Sequence, residues 1–98
     1  MCEMNHNHAT FINKKSQKQY MEAHHLIPIQ RQGSFEYDID VPENILCLCP
    51  NCHRMIHLAD DAERKEILLH AYEKKKGLLP QRGIDVDFNA LIKMYGIT

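Results

Sequence analysis

The stretch Cys49-Pro-Asn-Cys52-His53-Arg-Met-Ile-His57 most narrows what this chain can fold into. Two cysteines at this spacing form half of a tetrahedral metal site, and two histidines at i and i+4 project from one helical face. The other ligands must come from elsewhere in the chain, so the fold has to bring distant segments back to this point. Histidine is abundant enough to supply them: there are seven in 98 residues, beside four cysteines and no tryptophan. A chain this short is expected to form one domain with a thin core that needs a staple. No cationic segment followed by an apolar one opens the sequence, so no secretory signal is expected, and metal is the expected staple rather than a disulfide.

Only Cys2, His6 and His8 can complete the cysteine half-site. Cys2 with His8, or Cys2 with His6, would make a Cys3His zinc site joining the chain start to the second turn. Such an ion contributes folding energy directly. The competing reading is a redox Cys-x2-Cys. That motif belongs before a helix in a βαβ unit, and no such unit is visible. Cys47 has no pair and reads as a small apolar residue.

A second constellation comprises His24, His25, Asn44, His53 and His57. His24, at the end of a strand, can add a third imidazole to His53 and His57. Its neighbour His25 must point to the other side of the strand, because successive residues alternate. It is then free to act as a base, and an imidazole titrates near neutral pH. Glu22 shares the strand face of His24 and is placed to hydrogen-bond a metal-site histidine. Arg54 is placed to contact a phosphate. Exposed surface is the plain alternative for both. His70 reads as solvated, and so does His6 unless it takes the place of His8 as ligand.

The remaining order is coarse but legible. Residues 20–27 read as a strand stopped by Pro28, residues 29–43 as a long loop, and residues 44–48 as a second strand. Residues 49–52 read as a turn, with a helix from Cys52. Asp60 caps a further helix, with Glu63 three residues on, an apolar face of Ile67, Leu68, Ala71 and Tyr72, and Gly77 as its end. Asp87 caps the last helix, with Phe88, Leu91, Ile92 and Tyr95 on one face and Gly96 as its stop.

Together these residues resemble the HNH endonucleases, the ββα-metal finger nucleases. The resemblance lies in Glu22-Ala-His-His-Leu-Ile-Pro28, Asn44-Ile, and Leu48-Cys-Pro-Asn-Cys-His-Arg-Met-Ile-His57. The opening Cys-Glu-x-Asn-x-x-His-Ala-Thr-Phe looks like restriction-type members, which favours His8 over His6 as the fourth zinc ligand. Met4 and Asn5 stand where the family's first knuckle carries a second cysteine. The resemblance implies an α+β fold: a ββα-metal core over residues 2–57 with a zinc knuckle, and a helical extension over 60–96. The whole would be one nuclease domain, 1–98. Cys2, so near the first residue, suggests the C-terminal part of a longer protein.

Carried onto this sequence, the family's pattern makes His25 the general base and Asn44 the residue that steadies the loop and orients it. His24, His53 and His57 become ligands of a catalytic divalent ion. The implied activity is hydrolysis of DNA phosphodiesters, with restriction or phage defence in the cytoplasm as the expected setting. Structural Zn2+ is expected on Cys2, His8, Cys49 and Cys52. Mg2+ or Mn2+ is expected as the activating ion, with Zn2+ or Ni2+ able to occupy the three imidazoles.

Charge bears on the partner. Twelve Lys and Arg against thirteen Asp and Glu leave a formal charge of −1, which excludes a protein that grips nucleic acid by bulk charge. Local cations remain: Lys14, Lys15 and Lys18, then Lys74, Lys75 and Lys76, with Arg31, Arg54 and Arg82 scattered. Weak, unselective DNA binding follows, with specificity from a second copy, a partner or a fused domain. No membrane segment is expected, since the longest apolar run, Ile45 to Cys49, is too short. The alternative function is a zinc-stapled nucleic-acid-binding module without catalysis.

Overall fold

Two four-residue strands form the only sheet among the described residues; the first of three helices packs against it, the second against the first and the third against the second. The computed structural model describes residues 1–97. β1 (Glu22–His25) and β2 (Ile45–Leu48) run antiparallel in the register Glu22↔Leu48, Ala23↔Cys47, His24↔Leu46 and His25↔Ile45. Side chains alternate along a strand and cross-strand partners share a face. Glu22, His24, Leu46 and Leu48 therefore point one way, and His24, Leu46 and Leu48 are buried. His25 and Ile45 point the other way.

β1 is shorter than the strand expected over residues 20–27, and both ends have a physical cause. At its end, Leu26 N–H still donates to Asn44 O at 2.8 Å, but Ile27 N–H donates to the Asn44 side-chain oxygen at 2.8 Å. That side chain interrupts the ladder. At its start, Tyr20 N–H donates to Phe11 O at 2.8 Å, and Ile12 bridges Gln19, so this end pairs with a hairpin in the N-terminal segment. The sequence reading did not foresee that hairpin. The long loop holds two short 3-10 turns, Ile29–Ser34 and Pro42–Asn44.

α1 (Pro50–Leu58) begins earlier than expected. Cys49 is its N-cap: the sulfur accepts from Cys52 N–H at 3.4 Å, and Pro50 fits the first helical turn, where no N–H is needed. Cys52 and Ile56 face the core. α2 (Asp61–Lys75) has Asp60 as cap, with Oδ1 accepting from Glu63 N–H at 2.9 Å. It ends two residues before Gly77, where the chain turns toward a 3-10 turn over Leu79–Arg82. α3 (Phe88–Met94) is capped by Asp87, whose Oδ1 accepts from Ala90 N–H at 2.7 Å. Gly96, at φ 75°, supplies the left-handed residue that stops it.

The core gathers Leu26, Ile27, Ile39, Leu46, Leu48, Ile56, Leu68, Leu79, Ile84, Leu91 and Ile97, all essentially without exposure, around Cys2, Cys49 and Cys52. Arg64 of α2 ties the helices together. Its Nε donates to Ile56 O at 2.9 Å and its Nη2 to Tyr95 O at 2.7 Å, satisfying carbonyls near the ends of α1 and α3. Among the described residues no helix is long and apolar enough to cross a membrane.

Candidate metal centres

Cys2, His8, Cys49 and Cys52 converge so that their ligand atoms all lie within 4.8 Å of one another. His8 Nδ1 sits 3.6 Å from Cys49 Sγ and 3.3 Å from Cys52 Sγ. Tetrahedral zinc, with Zn–S ~2.3 Å and Zn–N ~2.05 Å, places such atoms about 3.5 Å apart, so the donor set fits the ion. The thiol electrostatics point the same way. Burial raises the Cys2 thiol, but the Cys49, Asn5 and Met4 backbone N–H groups and the His8 ring outweigh it and bring it down to about 6. Burial first, then the neighbouring Cys49 and Cys2 sulfurs, push Cys52 far above the usual thiol range. These sulfurs cannot all ionise together without a cation, and a metal such as zinc would remove the conflict. His6 is exposed and outside the cluster.

Glu3 anchors this corner. Its backbone N–H donates to Cys47 O at 2.8 Å, and its carboxylate accepts from Cys47 N–H at 2.6 Å, occupying the open edge of β2. It also contacts Lys75 at 3.4 Å. Cys47 is a free, half-buried thiol outside the metal cluster.

His24, His53 and His57 form the second cluster, again with ligand atoms within 4.8 Å of one another. Their ring centroids are 5.0 to 5.2 Å apart. Strand alternation turns His24 inward, and the helical i, i+4 spacing brings His53 and His57 to meet it. Two of the rings are held by outer partners. His53 Nδ1 donates to Glu22 Oε1 at 3.0 Å, and Glu22 Oε2 accepts from Tyr20 Oη at 2.8 Å. That leaves His53 Nε2 for a ligand. The His53 contact, then the Tyr20 hydroxyl, lowers the Glu22 carboxyl, while Glu22 raises the Tyr20 hydroxyl. His24 Nε2 lies 2.8 Å from Tyr95 Oη. Burial first, then His53, His57 and His25, lowers His24 to about 4, and burial and His53 also lower His57. Three imidazoles so close together are a donor set suited to a divalent transition ion.

His25 lies outside this trio, as its side of the strand requires. Its Nε2 is 2.7 Å from Asp40 Oδ1. Asn44, fully buried, holds both ends of that pair. Its Nδ2 donates to Ile27 O at 3.1 Å and to Ile39 O at 2.9 Å, while its Oδ1 takes the Ile27 N–H. One side chain thus staples the segment just after His25 to the segment just before Asp40. Arg54 is exposed beside the trio, in a groove of about 310 Å³ lined with Glu22, His53, His57 and Leu58.

Asp40 and Tyr95 were not singled out as site residues from the sequence. Asp40 sits in a loop without periodicity. Tyr95 reads as one more apolar position of a helix face, and only its hydroxyl hints at a polar partner.

The family described as HNH endonuclease matches residues 5–60, and the chain belongs to it. Over 53 residues it is 40% identical to the type IV methyl-directed restriction enzyme EcoKMcrA of Escherichia coli strain K12, which covers 54% of this chain and 17% of that enzyme. The chain thus spans less than a fifth of the relative's length. No solved structure matches it significantly.

Proposed function

We propose that this chain is a metal-dependent HNH endonuclease domain that hydrolyses DNA phosphodiester bonds. Residues 2–57 would be its ββα-metal finger and residues 60–96 a helical extension. The observation that carries this reading is the convergence of His24, His53 and His57 beside a histidine held by a carboxylate.

His25 is the general base. Asp40 offers only acceptors as a carboxylate, so the His25 Nε2 must donate and the lone pair stays on Nδ1. That nitrogen takes the proton from the attacking water. Asn44 is a positioning residue, since it fixes both backbone segments that carry the His25–Asp40 pair. His24, His53 and His57 would hold Mg2+ or Mn2+ with DNA present, and Zn2+ or Ni2+ could occupy the same nitrogens without it. Once bound, the divalent ion supplies positive charge where the phosphate and the leaving oxygen gain negative charge. Glu22 keeps His53 in the tautomer that leaves Nε2 free. Arg54 steadies a neighbouring phosphate. Cys2, His8, Cys49 and Cys52 would hold structural Zn2+, which would lock the start of α1.

With a formal charge of −1, the domain alone should grip DNA weakly. Specificity then comes from a second copy or a partner or fused domain. The relative's name speaks of restriction, which supports that setting, and we extend it to phage defence in the cytoplasm. Incubating a supercoiled plasmid with the protein and Mg2+ or Mn2+ tests the reading. Wild type should nick and His25→Ala should not, while keeping its fold and metal content. Absence of nicking by wild type, or equal nicking by His25→Ala, would leave a zinc-stapled binding module instead.

A further inference from the structure

We infer that Tyr95, which closes the last helix and lies outside the span shared with the family, selects the nitrogen through which His24 binds its ion. The inference rests on the reading of His24, His53 and His57 as an ion site. It makes the C-terminal helix part of the metal-holding apparatus, with Tyr95 as a positioning residue.

The argument is a count of protons. Tyr95 Oη has three neighbours: His24 Nε2 at 2.8 Å, Leu26 O at 2.6 Å and His25 O at 3.3 Å. The two carbonyl oxygens can only accept, and the hydroxyl has one proton to give. If that proton went to His24, the hydroxyl oxygen would face Leu26 O at 2.6 Å with no hydrogen between them. The proton therefore goes to Leu26 O, and His24 Nε2–H donates to Tyr95 Oη. The His24 lone pair is left on Nδ1, which becomes the ligand atom.

The hydroxyl is itself held in place from two sides. Leu26 directly follows the His24–His25 pair on the chain. The Tyr95 carbonyl receives the Arg64 Nη2 donor at 2.7 Å, and Arg64 Nε reaches Ile56 O at 2.9 Å on the helix that bears His53 and His57. One guanidinium thus fixes Tyr95 relative to the other two imidazoles. The hydrogen bond from Tyr95 sets the tautomer and ring plane of the third.

The test uses the whole chain and Zn2+ alone. The first equivalent fills the sulfur site, and the second is followed by calorimetry. Tyr95→Phe keeps the ring and removes only the hydroxyl. It should weaken the second equivalent by roughly 10- to 100-fold, the usual loss when an outer partner of a metal histidine is removed. Long-range proton–nitrogen NMR of the wild-type imidazoles should show His24 protonated on Nε2 before the second equivalent, with Nδ1 responding when the ion binds. This measurement does not depend on any variant folding. A His24 proton on Nδ1, coordination through Nε2, or a folded Tyr95→Phe that binds as tightly as wild type would overturn the inference. His57→Ala separates the two levels. If it loses the second ion while Tyr95→Phe keeps it, only the role of Tyr95 fails. If His57→Ala also binds normally, the histidine site and the inference fall together.

Discussion

Replacing Asn44 by alanine should damage stability and positioning at once, and the structure sets the size of the effect. Asn44 is fully buried and makes three side-chain hydrogen bonds, to Ile27 N–H, Ile27 O and Ile39 O. Alanine removes the partner and leaves those backbone groups in the core without one. Each buried unpaired group costs about 1–3 kcal/mol, so three cost roughly 3–9 kcal/mol if no water enters. Small domains hold about 5–15 kcal/mol in all, so a large share is lost. At about 4–8 °C per kcal/mol, the melting temperature should fall by at least ~12 °C. Asn44→Asp keeps the shape but turns a donor toward two carbonyls into an acceptor, and should also destabilise. Urea unfolding of the zinc-loaded protein, followed by circular dichroism, gives the difference directly. A midpoint for Asn44→Ala within error of wild type would show that the staple between the His25 and Asp40 segments is not what holds this loop. The same variant, assayed below its own melting transition, should nick plasmid more slowly because the His25–Asp40 pair loses its common support.

Cys52→Ser should lower the zinc-loaded melting temperature by more than ~10 °C, because it removes a buried ligand from an ion whose binding is folding energy. Melting at the wild-type temperature would sink the structural-zinc assignment. For pH, His24 is held near 4 by burial and its histidine neighbours, so it stays neutral between pH 7 and 5 and releases no proton when an ion binds. Calorimetry in buffers of different ionisation enthalpy should show clearly fewer than three protons released per second-site ion at pH 5.5, and a value near three would contradict it. The sign for stability follows from the same depression. The unfolded chain takes the His24 proton first, so this group's contribution is intact above pH 6.5 and is lost as pH falls toward about 4.

Much of the candidate site's geometry was written in spacing. Cysteines with two residues between them at a helix start, histidines at i and i+4, and alternation at His24 and His25 are local rules, and local geometry dictates them whatever the rest of the chain does. The helix caps Asp60 and Asp87 and the stop at Gly96 were legible for the same reason. Strand length was not, because Asn44 and the N-terminal hairpin compete for backbone groups that the strand would otherwise pair. Of the outer partners of the histidines, Glu22 was legible because it shares the strand face of His24, while Tyr95 and Asp40 were not. Tyr95 reaches His24 across 71 positions and Asp40 reaches His25 across 15, and no periodicity carries such distances. The amino-acid order by itself determined which side chains can serve as ligands and bases, since that is a matter of residue type and short-range geometry. Only the tertiary structure decided which ring nitrogens of His24, His25 and His53 are engaged, because that depends on what the rest of the fold places against them.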